Sequence, residues 1–415
     1  MMAFRDDLRE GFLAIKHVAV GWDDLLTQAM FGLVTREHIV WFSEPGRAKS
    51  MTARLIFQLF PDAHTFSKQI TRDTMPDDLI GSEIPQEYMN TGRQVFNLDG
   101  GICDVEFAFL DEFFDGGDPL VRALHTVLNE RRFETKDQPP VIVPLHTAIM
   151  TTNFHRDTAA TAAVLDRIMC KGYVPRVDGL VDSTRMYTTY LNTSGSHLTL
   201  PRLSYADLKE FADTIDAPDG VRVPPAIKLM HAYLIQNYIA RRISEAQANA
   251  DPNNPAELIL PNEVTPRSEA KLHDFSRACA LLNGRTEVQF SDLTALRYGL
   301  VTIGDGSSDD RIWAEVCEEM LPKRKRDEDR LQDLAAIAEA LADIKSHQDG
   351  NTDLQITIGG KLWYGTALDL KTLIDKVVDR GPASPAIADI TARLKTELDE
   401  INADDDKVVR FSLEG

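Results

Sequence analysis

The sequence predicts an α/β protein with a parallel-sheet core, an all-helical region after it and a small C-terminal region of mixed α and β structure. In the first part of the chain, short apolar runs that end in polar residues alternate with helical segments. Only helical periodicity follows, and a polar Gly-Ser-Asp segment precedes the last part. We therefore predict three domains, residues 1–195, 196–303 and 304–415, which is a usual number for a chain of 415 residues.

Three apolar runs are the candidates for buried strands. They cover residues 38–42, 107–110 and 147–150, and each ends at polar or turn-forming residues. The first run is followed by a Gly/Pro turn and then by a helical segment over residues 50–60. Strands separated by helices are typical of βαβ units, in which the strands run parallel.

The rest of the chain shows two further patterns. Apolar residues at intervals of three and four predict helices over residues 226–242, 267–282 and 291–301. Alternating apolar residues on both sides of a Gly-Gly pair predict a β-hairpin over residues 354–364. Helical periodicity returns over residues 387–401, which we predict to be the last helix.

Composition limits the classes of function. The chain has 45 Lys and Arg against 65 Asp and Glu, a net charge of −20, so we expect no general binding to nucleic acid or anionic membranes, although a local basic channel stays open. No apolar run approaches the ~18 residues of a membrane span, and the N-terminus lacks a secretory apolar core, which predicts a cytoplasmic protein. The four cysteines are scattered without a CxxC pair, so neither a zinc site nor a disulfide framework is predicted.

The strongest local motif is a candidate phosphate-binding loop, SEPGRAKS at residues 43–50, between the first predicted strand and the helix. In such loops backbone N–H groups face the phosphates, the Lys contacts the β- and γ-phosphates, and the following hydroxyl binds Mg²⁺. Lys49 and Ser50 fit these roles, whereas Ser43 and Ala48 stand where the general pattern has glycine. The alternative is an ordinary strand–turn–helix connection with a solvated Lys49.

A second motif lies at the end of another predicted strand. The apolar run over residues 107–110 is followed by Asp111 and Glu112. Nucleotide hydrolases place a Mg²⁺-coordinating Asp and a water-activating Glu at such a position. Paired acids at a strand end can instead serve only to cap the next helix. The two motifs at compatible spacing favour a nucleotide hydrolase more strongly than either does alone.

Further blocks resemble a known family, in the order in which the family has them. From about residue 11 to 302 the chain resembles a MoxR-type AAA+ ATPase, most closely the RavA-like branch. The matching blocks are HVAVG with DDLL (17–26), EPGRAKS (44–50), DDLIGS (77–82), TGRQVF (91–96), LDEFF (110–114), LNERRF (128–133), TTN (151–153), VLDR (164–167), TPR (265–267) and NGRTEV with DL (283–293). The resemblance implies an AAA+ P-loop NTPase core over residues 1–195, an all-α lid over 196–303 and an unmatched accessory region.

The resemblance also implies which residues bind the ligands, ATP and Mg²⁺. Val20 and Gly21 would border the adenine. The nucleotide would further be bound by the phosphate-loop residues Glu44, Pro45, Gly46, Arg47, Ala48, Lys49, Ser50 and Met51. Ser50 and Asp111 would hold Mg²⁺. Ala before Lys is the family's normal form, so Ala48 fits, whereas Ser43 and Glu44 depart from the family pattern.

Four residues are implied as catalytic. Glu112 would activate water, and Asn153 would hydrogen-bond this water or the γ-phosphate. Arg167 would act as an arginine finger on the nucleotide of a neighbouring subunit, although a Glu that usually precedes it is missing. Arg267 would reach the nucleotide of its own subunit from the lid. The alternatives are an Asn that satisfies a turn, a surface ion pair of Arg167 with Asp166, and a helix-start Arg.

The function implied by the resemblance is that of an ATP-hydrolysing ring, expected to be a hexamer, that remodels or matures a protein substrate like a chaperone. Family members act with a partner that carries a von Willebrand factor A domain, here a separate polypeptide, since this chain has no D-x-S-x-S motif. Two alternatives stay open. One is a nucleic-acid motor of the related helicase clade, and the other is a nucleotide-regulated scaffold with weak hydrolysis.

Overall fold

The structure is a computed structural model that describes residues 2–137, 139–153, 159–193, 199–249, 264–347, 354–365, 367–379 and 382–405. The chain divides into two compact units. The first contains residues 1–221, 264–286 and 295–310, and the second contains residues 222–263, 287–294 and 311–415. Among the described residues no helix is both long and apolar enough to span a bilayer.

A five-stranded parallel sheet is the centre of the first unit. Its strands, in spatial order, are β2 (Thr65–Gln69), β5 (Phe107–Asp111), β8 (Thr147–Thr152), β1 (Ile39–Phe42) and β9 (Cys170–Tyr173). β1, β5 and β8 are almost entirely buried, which explains why they are near-continuous apolar runs in the sequence. The prediction of parallel strands at these three places is confirmed.

The register of the sheet brings three strand ends together. Phe42 at the end of β1 pairs with Thr152, and Leu110 near the end of β5 pairs with Met150. Because all these strands run parallel, the segments that follow β1, β5 and β8 leave the sheet at the same edge. This edge carries the phosphate-loop motif, the acid pair and Asn153.

Helices and two short antiparallel pairs surround the sheet. The helices are α1 (Met2–Val18), α2 (Asp23–Val34), α3 (Lys49–Gln58), α4 (Asp77–Ile80), α5 (Pro85–Thr91), α6 (Asp118–Glu130), α7 (Ala159–Leu165), α8 (Leu180–Thr193), α9 (Tyr205–Asp216), α11 (Pro266–Leu282) and α12 (Arg297–Leu300). The pairs are β3 (Ser82–Glu83) with β4 (Phe96–Asn97), and β6 (Arg132–Phe133) with β7 (Val141–Ile142). The apolar residues of α6 are buried in one core with those of β5 and β8, which fixes the face that α6 turns to the sheet.

The helix predicted over residues 291–301 is corrected by the structure. A 3₁₀ helix, Phe290–Leu296, stands in its place and is followed by the single turn of α12. The Asp292 carboxylate accepts the Gln289 N–H at 2.8 Å, and the Asp292 N–H donates to the Gln289 carbonyl at 3.0 Å. These bonds close a tight turn, which favours the 3₁₀ form at the start of the segment.

The second unit packs around one long helix, α14 (Lys325–His347). It also contains α10 (Pro225–Asn249), α13 (Asp309–Met320), β10 (Leu354–Ile358), β11 (Lys361–Gly365), α15 (Ala367–Val378) and α16 (Pro385–Asp405). α14 contacts α10, α15, α16 and β10, so a helix of the predicted lid and the C-terminal helices share one unit. The three predicted domain ranges stay predictions.

The predicted hairpin of the C-terminal region is confirmed. β10 and β11 pair antiparallel, with Ile358 opposite Lys361 across the turn. Gly359 and Gly360 both have positive φ, +57° and +74°. A two-residue turn with positive φ at both positions is the type I′ turn, which matches the right-handed twist of the strands.

Removal of residues 311–415 should expose the apolar side of α10, because α10 packs against α14. We expect the shortened chain to bind a hydrophobic dye and to lose solubility, both measured against the full chain. In the full chain, Leu334→Asp should act in the same direction, because it puts a charge at a fully buried position of α14. A shortened chain that stays soluble and unfolds at the temperature of the full chain would contradict this packing.

Candidate active site

Asn153 connects the two motifs of the predicted site. Its side-chain carbonyl accepts from Lys49 Nζ at 2.7 Å, and its amide nitrogen donates to Glu112 Oε1 at 2.5 Å. Lys49 starts α3 after β1, Glu112 follows β5, and Asn153 follows β8. The structure thus brings together three residues from distant parts of the sequence, as the parallel sheet predicts.

The phosphate loop reaches α3 through two residues in the left-handed region. Gly46 has φ +82° and Ala48 has φ +59°. Among the described residues, apart from its two chain neighbours, no atom lies within 4 Å of the position that a Gly46 Cβ would take. α3 has no side-chain cap at its N-terminus, which leaves N–H groups of its first turn available to an anion.

Ser43, which departs from the family pattern, is accommodated at the end of β1. Its N–H donates to the Thr152 carbonyl at 3.0 Å, and its hydroxyl donates to the Glu44 carbonyl at 2.9 Å. The Ser43 carbonyl accepts from Lys49 Nζ at 3.2 Å. The other departing residue, Glu44, forms an ion pair with Arg47 at 2.6 Å. Both side chains therefore bond within the loop.

Asp111 is held from two sides at the predicted Mg²⁺ position. Ser50 Oγ donates to Asp111 Oδ2 at 3.1 Å, and the Thr151 hydroxyl donates to Oδ1. Hydroxyl and carboxylate oxygens are the hard donors that Mg²⁺ prefers, so Ser50 and Asp111 fit this ion. No group of three or more His, Cys, Asp or Glu side chains able to hold a metal occurs in the described part of the chain. Two protein donors leave room for phosphate oxygens and water.

Lys49 is buried beside neutral hydrogen-bond partners. Burial lowers its pKa, and the negative charges of Glu112 and Asp111 oppose this shift. Its side chain hydrogen-bonds only a backbone carbonyl and an amide among the described residues. A buried ammonium without a directly paired carboxylate is suited to an anionic ligand such as a phosphate.

Glu112 has the properties of a general base. Burial raises its pKa, the charges of Asp111 and Asp115 raise it further, and Lys49 and the Asn153 hydrogen bond act against this rise. Oε2 is buried and accepts no hydrogen bond from a described residue. Because Glu112 has φ +55°, the chain turns sharply after β5 and aims this carboxylate at the site. A carboxylate with a raised pKa and one unbonded oxygen can take a proton from water.

The predicted adenine-side residues lie at one corner of the same unit. Val20 is buried and Gly21 has φ +83° between α1 and α2. Pro175 Cγ lies 3.9 Å from the position that a Gly21 Cβ would take. The preceding carbonyl, that of Val174, accepts from Arg47 at 2.6 Å, which connects this corner to the phosphate loop. Met51, one turn into α3, is 40% exposed, and Pro45 is also exposed.

Arg167 contacts His125, and the charge of Arg267 also acts on this histidine. Arg167 Nη1 and His125 Nδ1 lie 3.1 Å apart. Burial lowers the pKa of His125, and the charges of Arg167 and Arg267 lower it further. Neither arginine bonds to the phosphate loop among the described residues, and the alternative ion pair of Arg167 with Asp166 is not formed.

Two residues of the site were missed in the sequence. Thr151 holds Asp111, and the two-residue period of a strand could have indicated it, since positions 151 and 153 point to the same side. No sequence pattern indicates the role of His125. Its partner, Arg167, is 42 positions away, and no single motif contains both residues.

A family model described as the MoxR domain in the MoxR-vWA-beta-propeller ternary systems matches residues 6–190. Residues 6–190 are therefore similar to a MoxR domain. The matched range contains the phosphate loop, the acid pair, Asn153 and Arg167, while Arg267 lies beyond it. The assignment to the RavA-like branch stays a prediction.

Curated relatives are similar to the chain over parts of their length. An uncharacterized protein of Methanocaldococcus jannaschii is 24% identical over 270 residues, 65% of this chain and 63% of that protein. Another from the same organism is 32% identical over 146 residues, 35% of this chain and 39% of that protein. Chaperone MoxR1 of Mycobacterium tuberculosis is 29% identical over 125 residues, 30% of this chain and 32% of that protein. The chain thus spans less than two thirds of each of these curated relatives.

A solved structure is similar to most of the chain. The crystal structure of a candidate ATPase from Cytophaga hutchinsonii superimposes with a TM-score of 0.57 at 20% identity. The match covers 76% of this chain and 95% of that chain. At this level of identity the likeness shows the fold alone, and it agrees with the predicted α/β fold class with a parallel-sheet core.

Gly46→Ala should weaken ATP binding without unfolding the protein. The new Cβ enters the open space beside the loop, and the left-handed φ adds a strain of about 1 kcal/mol. Gly306→Ala is the matched control, because Gly306 also has positive φ, +76°, and the described residues beyond its chain neighbours place no atom within 4 Å of its Cβ position. Urea unfolding should show similar losses for both variants, and fluorescence titration with an ATP analogue should show weaker binding for Gly46→Ala alone. Equal binding by both variants would contradict the assigned loop.

Proposed function

We propose that the chain is a subunit of an ATP-hydrolysing ring that remodels or matures a protein substrate. The observation that carries this proposal is the bridge from Lys49 through Asn153 to Glu112, beside the Ser50–Asp111 pair. It joins a phosphate-binding cation, a Mg²⁺ position and a general base at one sheet edge. Such a set of groups is what phosphoryl transfer to water requires.

Binding of the nucleotide falls to the first turn of α3 and to Lys49. The N–H groups and the ammonium group offer the positive ends that the phosphates need. Ser50 and Asp111 would hold Mg²⁺, and Thr151 keeps Asp111 in place. Bound there, the ion would neutralise phosphate charge.

Hydrolysis falls to Glu112 with the help of Asn153. Asn153 occupies Oε1 of Glu112, so the unbonded Oε2 is the oxygen left to receive a proton from water. The raised pKa of Glu112 makes it a stronger base than an exposed glutamate. Glu112 must be deprotonated to act, so turnover should fall as the pH drops through this raised pKa.

Arg167 would complete the site of a neighbouring subunit, and Arg267 would reach the nucleotide from the lid. Both are cations without an ion pair among the described residues, and neither contacts the phosphate loop of its own chain there. A phosphoryl group in transition is stabilised by such a cation. The sequence suggested that Arg267 acts within its own subunit, and an action across the interface beside Arg167 is the alternative. A site shared in this way requires a closed ring, and a hexamer is proposed.

Partners are proposed from the descriptions of similar proteins. The matched family model names a von Willebrand factor A protein and a β-propeller in its ternary systems, and one relative is named a chaperone. We extend these roles to this chain: a separate von Willebrand factor A partner, a protein substrate and a cytoplasmic location. The net charge of −20 supports a protein substrate over nucleic acid.

Mixed rings test the proposal. Lys49→Ala subunits lack a working phosphate loop but still present their arginines, whereas Arg167→Ala subunits have an intact loop and no finger. Each variant alone should hydrolyse ATP at least ~100-fold more slowly than the wild type, and the mixture should regain part of the rate. The same mixing with Arg267→Ala separates its two roles, since rescue occurs only if Arg267 acts across the interface.

Subunit exchange is the necessary control, and native mass spectrometry of the mixture measures it. An exchanged mixture without rescue contradicts a finger that acts between subunits. Near-normal ATP turnover by Arg167→Ala alone would show that Arg167 is not an arginine finger. If the wild-type chain binds ATP but does not hydrolyse it, with or without the partner, the alternative of a nucleotide-regulated scaffold is favoured.

A further inference from the structure

His125 lies beside Arg167 at the point where α6 faces the end of α7. The buried side chains of Leu124, Val127 and Leu128 fix the rotation of α6 and so bring His125 to this side. The Asn129 amide nitrogen donates to the His125 carbonyl at 2.7 Å, one turn along the helix. The imidazole position is therefore set by the packing of the helix.

The finger itself is anchored on both sides in the chain. Val164 and Ile168 are buried, each 2% exposed, and the Arg167 N–H donates to the Val164 carbonyl at 3.0 Å. The guanidinium is the mobile part of such a residue, and the described hydrogen-bond partner of this guanidinium is His125 at 3.1 Å. A long side chain held at its far end loses less entropy when it meets a ligand.

The contact requires a neutral imidazole. A guanidinium can only donate, so His125 Nδ1 must accept, which places the ring proton on Nε2. A carboxylate at this place would neutralise Arg167, whereas a neutral acceptor orients the cation and leaves its charge for an anion. The chain has 65 acidic residues that could pair with an arginine. Because the partner of Arg167 is neutral, its positive charge stays available to stabilise a phosphoryl group.

We infer that His125 is the positioning residue of the arginine finger: its unprotonated Nδ1 holds the Arg167 guanidinium in the orientation that meets the nucleotide of the next subunit. This inference rests on the proposed function of Arg167. It goes beyond the site predicted from the sequence, which names no residue that positions Arg167.

Protonation of His125 would break the arrangement. The described charged groups that act on His125 are Arg167 after α7, Arg267 at the start of α11 and Glu130 on its own helix. Burial lowers the pKa of His125 below its ordinary value, the charges of the two arginines lower it further, and the charge of Glu130 acts against this shift. The imidazole is neutral at pH 7, and the hold on Arg167 is lost as the pH falls through this lowered pKa.

Three full-length variants test the inference. His125→Leu removes the acceptor, and His125→Asn keeps an acceptor oxygen near the place of Nδ1. Thr126→Leu is the matched control, because it puts the same leucine on the next position of α6, which is also half-buried. Thermal unfolding and native mass spectrometry check that each variant folds and forms the same ring.

We expect His125→Leu to lower kcat about tenfold with unchanged ATP affinity, since a misplaced catalytic group costs rate rather than ground-state binding. His125→Asn should restore most of the rate, and Thr126→Leu should leave it unaltered. His125→Leu in an Arg167→Ala background should cause no further loss, because the two residues act as one unit. Below pH 7 the rate of the wild type should fall more steeply than that of His125→Asn, because the asparagine side chain does not take up a proton in this range.

Separate outcomes mark the two ways of failing. If Arg167→Ala turns over ATP normally, the proposed finger is wrong. If Arg167→Ala is slow and His125→Leu is as fast as Thr126→Leu, the finger stands and the inference about His125 is overturned. Additive losses in the double variant, or identical acid limbs for the wild type and His125→Asn, would overturn it as well.

Discussion

The site depends on one interaction, the bridge that Asn153 makes between Lys49 and Glu112. A buried ammonium and a buried carboxylate are each costly to remove from water. The Asn153 amide can serve both, because its oxygen accepts from Lys49 and its nitrogen donates to Glu112. It thus separates the two charges and keeps both in place. A direct ion pair would instead occupy the lysine that we propose for phosphate binding.

The parallel sheet makes this bridge possible. β1, β5 and β8 are adjacent and end at the same edge, so a lysine, a glutamate and an asparagine from distant segments meet there. Further hydrogen bonds support this arrangement. The Ser50 and Thr151 hydroxyls donate to Asp111, and Lys49 donates to the Ser43 carbonyl directly after β1. Neither Arg167 nor Arg267 bonds to these residues in the described part of the chain. The proposal that a neighbouring subunit completes the site rests on this separation.

Sequence reasoning predicted what has a period or a motif. The buried strands, the phosphate-loop motif and the hairpin with its Gly-Gly turn are of this kind. It did not predict contacts between distant side chains, such as Arg167 with His125. It also treated residues 291–301 as one helix, because periodicity does not distinguish an α-helix from a 3₁₀ turn held by Asp292.

The most direct test of the central claim compares ATP bound by Glu112→Gln and by Lys49→Ala after gel filtration. Glutamine keeps the size of Glu112 and cannot take a proton, so this variant should elute with intact ATP and release no phosphate. Lys49→Ala should elute without nucleotide, because Lys49 is the buried cation that we propose for phosphate binding. Release of phosphate by Glu112→Gln at the wild-type rate, or stable ATP binding by Lys49→Ala, would contradict the account.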